Sequence, residues 1–379
     1  MNGAKTWVEI NHQALRSNIA ALRSLLVPGS QMAGVVKANA YGHGLLQVVP
    51  IMLEEGLKVF CVDNVDEAIS VRGLSPDATV IILGYTLHDR LNDVITHRLD
   101  QIVYDAETIQ QLQTLAVAAD SRARVHLKIE TGTMRQGIYP EEIPELVKTF
   151  QLCPQVDVVG VSTHFANVEE AESPAFAEYQ MARFLQACNM LRAAGIDPPL
   201  VHTACSAAVI LYPETHGTLV RPGISTYGFW SSRQTRFAAR QLDRRIELTP
   251  VLSWKTRVAQ IKEAQIGTPV GYGGTEQLRR FSKIAVLPVG YWDGYDRRLS
   301  SVGEVLIRGQ LCKVLGRVCM NMCMVDVTEV PRVAREDEVI LIGRGGKNRM
   351  RADDIADRTG TISYEVTTRI NPLIPRIVV

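Results

Sequence analysis

The sequence predicts a (β/α)8 TIM-like barrel followed by an all-β domain. Between Ala33 and Arg221, short apolar and β-branched runs alternate with longer amphipathic stretches. Near-continuous apolar strands separated by helices are typical of a parallel sheet covered on both faces, and eight such units are the number that closes a barrel. The eight runs cover residues 33–37, 58–62, 79–83, 101–104, 125–129, 157–164, 199–203 and 218–221.

The segments between these runs carry helical periodicity, most clearly at residues 43–55, 105–118 and 174–194. An open, doubly wound sheet is the alternative arrangement, and it usually has a glycine-rich first turn. Since the chain contains neither a G-x-G-x-x-G nor a P-loop motif, the barrel is favoured.

After Gln241 the pattern changes to strand-like runs with Gly and Pro between them and little helical periodicity. These runs cover residues 251–261, 283–289, 304–307, 313–318, 323–327 and 338–342, with a short helix near 352–359. A further strand at residues 6–11 could pair with either part of the chain. We therefore expect a barrel over residues 12–240 and a β-domain over 241–379, joined by the N-terminal strand within residues 1–11.

Composition and charge exclude several classes of protein. Of the 379 residues 46% are hydrophobic, which is enough for a buried core, and the net charge of +1 provides no basic excess for nucleic acid. The N-terminus lacks the apolar region of a signal peptide, and no apolar run is long enough for a membrane span. Seven scattered cysteines do not resemble a disulfide framework. A cytoplasmic protein without nucleic-acid or membrane partners is predicted.

Polar side chains follow several predicted barrel strands at the ends where barrel active sites lie. Lys37 comes directly after the apolar Val35 and Val36. Burial there would favour the neutral amine, which is the form that makes a Schiff base. Considered alone, Lys37 is more simply a rim lysine that points to water.

The loops after strands seven and eight are where barrels often bind a phosphate group. Ser206 begins a predicted helix, and Gly223 and Ile224 can bring backbone N–H groups close to an anion. Ser206 alone is more simply a helix N-cap. Together with a lysine after strand one, this phosphate site indicates pyridoxal 5′-phosphate (PLP).

The segment Val36-Lys37-Ala38-Asn39-Ala40-Tyr41-Gly42-His43-Gly44 resembles, almost letter for letter, the PLP-attachment segment of alanine racemases. Five more segments resemble motifs of that family and stand in the family's order across both predicted domains. They are Thr163-His164-Phe165-Ala166, Arg221-Pro222-Gly223-Ile224-Ser225-Thr226-Tyr227-Gly228, Val270-Gly271-Tyr272-Gly273, Gly290-Tyr291-Trp292-Asp293-Gly294-Tyr295 and Gly316-Arg317-Val318-Cys319-Met320. The resemblance covers nearly the whole chain.

This resemblance implies a homodimeric, PLP-dependent isomerase that interconverts L- and D-alanine and supplies D-alanine for cell-wall peptidoglycan. Lys37 would attach PLP as a Schiff base and act as one catalytic base, while Tyr272 of the partner subunit would act as the other. Two bases on opposite faces of a planar carbanion suffice for racemisation, with PLP as the electron sink. A tyrosine acts as a base only when cations such as Arg221 and Arg135 stabilise its phenolate.

The same resemblance places Arg221 against the pyridine nitrogen of PLP. That nitrogen stays unprotonated because a guanidinium keeps its proton, which disfavours decarboxylation and transamination. His164 would support Arg221 or stack on the cofactor ring, although a lone histidine is more often a packed core residue. The other implied cofactor contacts are Tyr41, Ser206, Gly223, Ile224 and Tyr364.

The substrate carboxylate would bind Arg135, assisted by the backbone at Met320, because a planar guanidinium can contact both carboxylate oxygens. Lys128 matches a lysine that several family members carry as a carbamate. Such a carbamate would hold Arg135 in place, whereas an unmodified Lys128 would repel it. An entry passage that admits small side chains is implied at Glu169, Tyr291, Arg297, Arg317 and Ile362; the alternative for these residues is an ordinary subunit interface.

The sequence departs from the commoner family pattern in four places. The segment Glu130-Thr131-Gly132-Thr133-Met134-Arg135 differs from the usual Asp-Thr-Gly-Met-Gly-Arg form. Glu169 stands where Asp is usual, Cys205 stands where Asn is usual, and Asn321 follows Met320 where most relatives have Asp. These differences leave a racemase of serine or another small amino acid as the alternative to an alanine racemase.

Two other classes of PLP protein are disfavoured. A barrel-plus-β-domain decarboxylase would have an acidic residue where Arg221 stands, and a non-catalytic PLP carrier would resemble the barrel alone. No metal site is predicted, because the neighbouring cysteines form no C-x-x-C pair and no histidine follows them. These cysteines are Cys312, Cys319 and Cys323.

Overall fold

The computed structural model describes residues 3–169 and 174–379, which divide into two compact units. The first, called here the barrel unit, contains residues 15–38 and 48–249. The second, the β-unit, contains the residues up to Ala14, residues 39–47 and residues 250–379. The short segment 39–47, which directly follows Lys37 and Ala38, therefore belongs with the C-terminal half of the chain.

The barrel unit is built on a parallel sheet whose strands lie side by side in sequence order. The strands are Gly34–Val35, Val59–Val62, Thr79–Ile82, Asp100–Val103, Ala123–Lys128, Val156–Ser162 and Leu200–His202. An eighth strand, Leu219–Val220, pairs in parallel with Gln31–Met32, which directly precedes the first strand. On its other side, Thr218 N donates to Val201 O at 3.0 Å and Arg221 N donates to Ala204 O at 2.9 Å. The hydrogen bonds thus close a ring, which confirms the predicted fold class.

Helices cover this sheet because its strands are apolar on both faces, as at Val59–Val62, where every residue is buried. Several helices begin where a side chain caps the free backbone N–H groups; for example, Asp105 accepts from Thr108 N at 2.7 Å, and Ser232 accepts from Thr235 N at 2.9 Å. The helices are Val65–Leu74, Leu91–Thr96, Ala106–Ala118, Ile143–Leu152, Ala175–Ala193, Ser206–Leu211 and Arg233–Gln241, together with His12–Arg23 and Leu45–Glu54, which cross between the units. In the described part of the chain, none of the helices meets the length and apolarity needed to cross a bilayer.

The β-unit contains an extended sheet in which mainly antiparallel strands pair. Its described strands follow the order Gln260–Ala264, Ser282–Leu287, Cys323–Asp326, Gln310–Leu315, Glu304–Ile307, Glu338–Gly345, Leu252–Arg257, Thr6–Ile10 and Arg376–Val378, with Asn348–Met350 paired to Glu338–Gly345. The N-terminal strand lies between two C-terminal strands, antiparallel to one and parallel to the other. Two helices, Ala352–Thr359 and Ser363–Thr368, precede the last strand.

One predicted strand of the β-unit is two strands in the structure. The single run predicted at 251–261 is Leu252–Arg257 and Gln260–Ala264, because the chain changes its hydrogen-bonding partner between them. Val258 N donates to Asp337 O at 3.0 Å, whereas Ala259 N donates to Val286 O at 2.8 Å. An apolar run cannot reveal such a change of partner, since the residue pattern is the same on both sides of it.

Candidate functional site

Lys37 is half-buried at the end of the first barrel strand and is followed by a left-handed turn. The backbone φ angles of Ala38, Asn39, Ala40 and Tyr41 are 52°, 53°, 54° and 54°. This conformation costs an L-residue roughly 1–2 kcal/mol, so the surroundings must hold it. Asn39 does so by accepting from Gly44 N at 2.9 Å on its carbonyl and from Leu45 N at 2.8 Å on Oδ1. The predicted helix at 43–55 consequently begins only at Leu45.

Arg221 lies buried in the barrel interior just after the eighth strand. One guanidinium nitrogen donates to His202 O at 2.6 Å and contacts His202 Nδ1, and the other donates to Thr163 O at 2.9 Å. The guanidinium is therefore held by the residue that follows strand six and by the last residue of strand seven. A rigid cation with no proton to give away is fixed at this point in the barrel.

Ser206 joins the loops after strands seven and eight. Its Oγ accepts hydrogen bonds from Gly223 N at 2.9 Å and Ser225 N at 3.2 Å. Because both of these contacts use the oxygen as acceptor, the hydroxyl hydrogen is available to a further acceptor. Within the described residues, Ser225 Oγ is buried and has no hydrogen-bond partner. Two hydroxyl groups and a backbone segment thus suit an anion such as a phosphate group.

The segment that begins with Arg221 is also tied to the strand that carries Lys37. Tyr227 is fully buried, and its hydroxyl donates to Val35 O at 2.7 Å. Val35 stands two residues before Lys37, so this hydrogen bond fixes the strand that presents the lysine. The predicted lysine and the predicted phosphate cradle are therefore brought together in the barrel unit.

Lys128 is buried at the end of the fifth strand, close to other cations. Burial lowers the pKa of Lys128 well below its usual value, and the positive charges of Arg221 and Arg135 lower it further. The pKa of His164 is likewise well below its usual value because of burial and the nearby Lys128. His164 is consequently neutral near pH 7, and Lys128 loses its proton far more readily than an exposed lysine does.

Glu130, one of the departures from the family pattern, folds back over the loop that carries Arg135. Its carboxylate accepts from Thr133 N at 2.6 Å and from Arg135 N at 3.1 Å. Burial alone would raise the pKa of Glu130, but the backbone hydrogen bonds outweigh it and leave this pKa below its usual value. The Glu130 carboxylate therefore holds the backbone of the loop that carries Arg135.

In the β-unit, Tyr272 stands at the tip of a small hairpin formed by Pro269–Val270 and Glu276–Gln277. The side chain is 71% exposed in the single chain. Gly273 follows it with a φ of 74°, and a Cβ on Gly273 would meet the Arg317 guanidinium at 3.3 Å. The hairpin thus packs on Arg317 and presents the phenol outward.

Four other predicted residues of the β-unit lie in two local groups. The rings of Tyr41 and Tyr364 are 6.1 Å apart between centroids. Tyr291 N donates to Cys319 O at 3.0 Å, and Trp292 N donates to Met320 O at 2.9 Å, so the turns that carry Tyr291 and Met320 are joined. Tyr291 and Met320 themselves are exposed.

The remaining predicted passage residues are spread over both units. Glu169 is half-buried in the barrel unit, where its carbonyl accepts from Ser232 Oγ at 3.0 Å. Arg297 and Ile362 are exposed in the β-unit. Among the residues at 3–169 and 174–379, no group of three or more His, Cys, Asp and Glu side chains is arranged to hold a metal ion.

A line of buried polar groups inside the barrel has no role predicted from the sequence. Asp100 begins the fourth strand, His126 lies in the fifth strand, and His202 ends the seventh strand. All three are almost completely inaccessible to solvent. The available signal was a polar side chain between two apolar neighbours, as at Val125-His126-Leu127, because a buried polar side chain needs a partner.

The comparisons with known proteins agree with this arrangement. A family model for the N-terminal domain of alanine racemase matches residues 10–230, and one for the C-terminal domain matches residues 251–378. An alanine racemase from Leptospira interrogans serovar Lai is 36% identical over 377 residues, which is 99% of this chain and 96% of that protein. The structure of alanine racemase from Clostridium difficile 630 has a TM-score of 0.94 at 31% identity, over 100% of this chain and 97% of the other.

A third relative concerns the cofactor. An alanine racemase from Bartonella henselae, described with covalently bound pyridoxal phosphate, has a TM-score of 0.85 at 26% identity over 100% of both chains. Both domain models are matched, and the similarity extends over nearly the whole length of each relative. The chain therefore belongs to the alanine racemase family.

Proposed function

We propose that this chain is a PLP-dependent alanine racemase that interconverts L- and D-alanine as a homodimer in the cytoplasm and supplies D-alanine for peptidoglycan. The observation that carries this proposal is the grouping in the barrel of Lys37, the fixed Arg221 cation and the Ser206 cradle. The chain's membership of the family supplies the reaction class.

The barrel residues fit the chemical groups of PLP. Lys37 provides the amine for covalent attachment, and Ser206 with the backbone of Gly223 and Ile224 would hold the phosphate group. Tyr41 and Tyr364, whose ring centroids are 6.1 Å apart, would be further cofactor contacts. When bound, PLP supplies the electron sink that makes removal of the substrate's α-proton feasible.

Ser206→Ala should weaken PLP binding, because it removes a hydroxyl donor to the phosphate group together with the acceptor for Gly223 N and Ser225 N. A hydrogen bond to a charged group contributes about 1.5–3 kcal/mol, so the dissociation constant should rise at least about tenfold. The measurement is a titration of the PLP-free protein with PLP. Ser24→Ala, which removes an exposed hydroxyl that bonds Ala21 O, should leave the constant unchanged.

Two side-chain atoms would move the proton. Lys37 Nζ and Tyr272 Oη serve opposite faces of the α-carbon, so that one removes the proton and the other returns a proton to the far side. Tyr272 comes from the partner subunit, in agreement with its exposure in the single chain. The dimer is therefore the unit that holds a complete site.

Arg221 would lie against the pyridine nitrogen of PLP and so set the reaction outcome. Since a guanidinium gives up no proton, this nitrogen would stay unprotonated and electron withdrawal would be limited. That limit favours reprotonation at the α-carbon over loss of carbon dioxide. His164, neutral at pH 7, supports Arg221 or stacks on the cofactor ring without adding a further charge.

Arg135 would bind the substrate carboxylate, with help from the backbone of Met320. Lys128 would carry a carbamate: its neutral amine forms an N–C bond to carbon dioxide and releases one proton. The low pKa of Lys128 supports this reaction, because only the unprotonated amine attacks. The resulting anion would hold Arg135, while Glu169, Tyr291, Arg297, Arg317 and Ile362 would line the entry passage.

The test is chiral chromatography after separate incubation of the PLP-loaded protein with L-alanine and L-serine. We expect D-alanine to form and alanine to be converted faster than serine. Faster conversion of serine would make this a serine racemase, the alternative raised by Cys205 and Asn321. Release of ethylamine from alanine would identify a decarboxylase, and optically pure amino acids throughout would favour a PLP carrier.

A further inference from the structure

A continuous line of hydrogen bonds runs behind Arg221 through the barrel interior. Arg221 contacts His202 Nδ1, His202 Nε2 lies 2.8 Å from His126 Nδ1, and His126 Nε2 lies 3.1 Å from Asp100 Oδ2. At the far end, Arg124 donates from Nε to Asp100 Oδ1 at 2.7 Å. The two imidazole centroids are 4.9 Å apart.

The two ends of this line allow one fully satisfied arrangement of protons. A guanidinium can only donate and a carboxylate can only accept, so each imidazole between them must accept on one nitrogen and donate from the other. Arg221 then donates to His202 Nδ1, His202 Nε2–H donates to His126 Nδ1, and His126 Nε2–H donates to Asp100. An additional proton on either histidine would place two N–H groups against each other.

We propose that Asp100, His126 and His202 form a relay that fixes both histidines as neutral Nε2–H tautomers and thereby positions Arg221. The side chain of Asp100 sets the direction of the relay, and its effect reaches Arg221 through two imidazole rings. All three are positioning residues. The consequence for the cofactor rests on the proposed function, whereas the relay itself does not.

The electrostatics of the line agree with this assignment. Burial lowers the pKa of His202 well below its usual value, and Arg221 lowers it further, so His202 is neutral at pH 7. Burial would raise the pKa of Asp100, but hydrogen bonds from His126 and Arg124 outweigh it and leave that pKa below its usual value. The line of hydrogen bonds thus has the Asp100 carboxylate as acceptor at one end and the Arg221 guanidinium as donor at the other.

The barrel also leaves space for the relay. Gly160, on the strand next to His126, has no side chain where a Cβ would lie 1.9 Å from His126 Nδ1 and 2.4 Å from His126 Cε1. Any larger residue at 160 would therefore displace the ring that links Asp100 to His202. Only glycine fits at position 160 while the His126 ring stays where it is. The absence of a side chain there therefore fits a role that depends on the position of this ring.

The experiment is nitrogen-15 NMR of the histidine side chains in the PLP-loaded wild-type protein and in the Asp100→Asn variant. In the wild type we expect His126 and His202 to be neutral and protonated at Nε2. In Asp100→Asn, the amide turns its oxygen to Arg124 and its NH2 to His126, which reverses both tautomers, as Asn does when it replaces an Asp that orients a histidine. The PLP dissociation constant should then rise by about tenfold, which corresponds to the loss of one buried hydrogen bond.

The matched control is Asp157→Asn. Asp157 lies on the sixth strand and pairs at 2.5 Å with Arg122, which directly precedes the fifth strand. In the described contacts Asp157 is not hydrogen-bonded to a histidine. We expect it to leave the tautomers of His126 and His202 and the affinity for PLP unchanged. The Asp157→Asn variant therefore distinguishes the effect of losing any paired carboxylate from the effect of interrupting the relay.

The possible results test three claims separately: the relay, the positioning of Arg221 and the proposed function. A wild-type His202 protonated at Nδ1 would overturn the relay, and this measurement requires no variant to fold. Reversed tautomers with unchanged PLP affinity would overturn the positioning of Arg221. A wild-type protein with the expected tautomers but without racemisation would refute the proposed function and leave the relay intact.

Discussion

Lys37→Ala should lose both covalent attachment of PLP and racemisation. The half-buried amine at the end of the first barrel strand is the proposed attachment point and one of the two proton carriers. Lys37→Ala removes a nucleophile that is also a general base. Loss of the general base alone lowers turnover by about 10²–10⁴-fold. The absorbance band of the lysine-bound cofactor should therefore disappear, and dialysis should remove PLP from the variant.

Borohydride reduction followed by peptide mass spectrometry identifies the attachment site. In the wild type the cofactor should be fixed to the peptide that contains Lys37, and in Lys37→Ala it should be fixed to none. Lys58→Ala removes an exposed lysine just before the second barrel strand and should behave like the wild type. A reduced cofactor on another lysine in Lys37→Ala would contradict the proposed site.

Tyr272→Phe should separate proton removal from inversion. The variant loses the proton carrier on one face, so racemisation should fall by roughly 10²–10⁴-fold, the usual contribution of one general acid or base. Lys37 remains and can still remove a proton and return one to the same face. One enantiomer of alanine should therefore continue to exchange its α-proton with solvent without inversion.

The measurement is proton NMR in D2O on each enantiomer, combined with chiral chromatography. Rates alone cannot assign the role, since enantiomers have equal free energies and kcat/KM must fall equally in both directions. We expect the α-proton of one enantiomer to be replaced by deuterium and that of the other to persist. Loss of exchange from both enantiomers to the same degree would contradict the assignment of Tyr272 to one face. Tyr139→Phe, at an exposed tyrosine of the barrel unit, is the control.

The apolar pattern of the sequence was sufficient to predict the barrel. A strand that is buried on both faces, as at Val59–Val62, favours continuous apolar residues, and such a run is visible in the sequence without knowledge of its neighbours. The alanine racemase family and the order of barrel and β-domain are confirmed by the comparisons. The partner change between Arg257 and Gln260 was not predictable, because it depends on strands distant in sequence.

The chemistry of the barrel site was only partly predictable. Lys37, Ser206 and Arg221 follow barrel strands at the ends where active sites lie, but only their combination and the resemblance to the family predict a PLP site. The left-handed turn after Lys37 involves alanine, asparagine and tyrosine, and nothing in these residue types predicts four successive positive φ angles. The buried relay behind Arg221 depends on three strands that meet only in the fold.

The most direct test of the shared active site is activity after mixing Lys37→Ala and Tyr272→Phe subunits. In a twofold dimer whose sites combine Lys37 of one subunit with Tyr272 of the other, each mixed dimer has one intact site. Random exchange at equal amounts should therefore restore about a quarter of the wild-type racemase activity from two nearly inactive proteins. No gain after verified subunit exchange would show that Lys37 and Tyr272 do not act across a subunit interface.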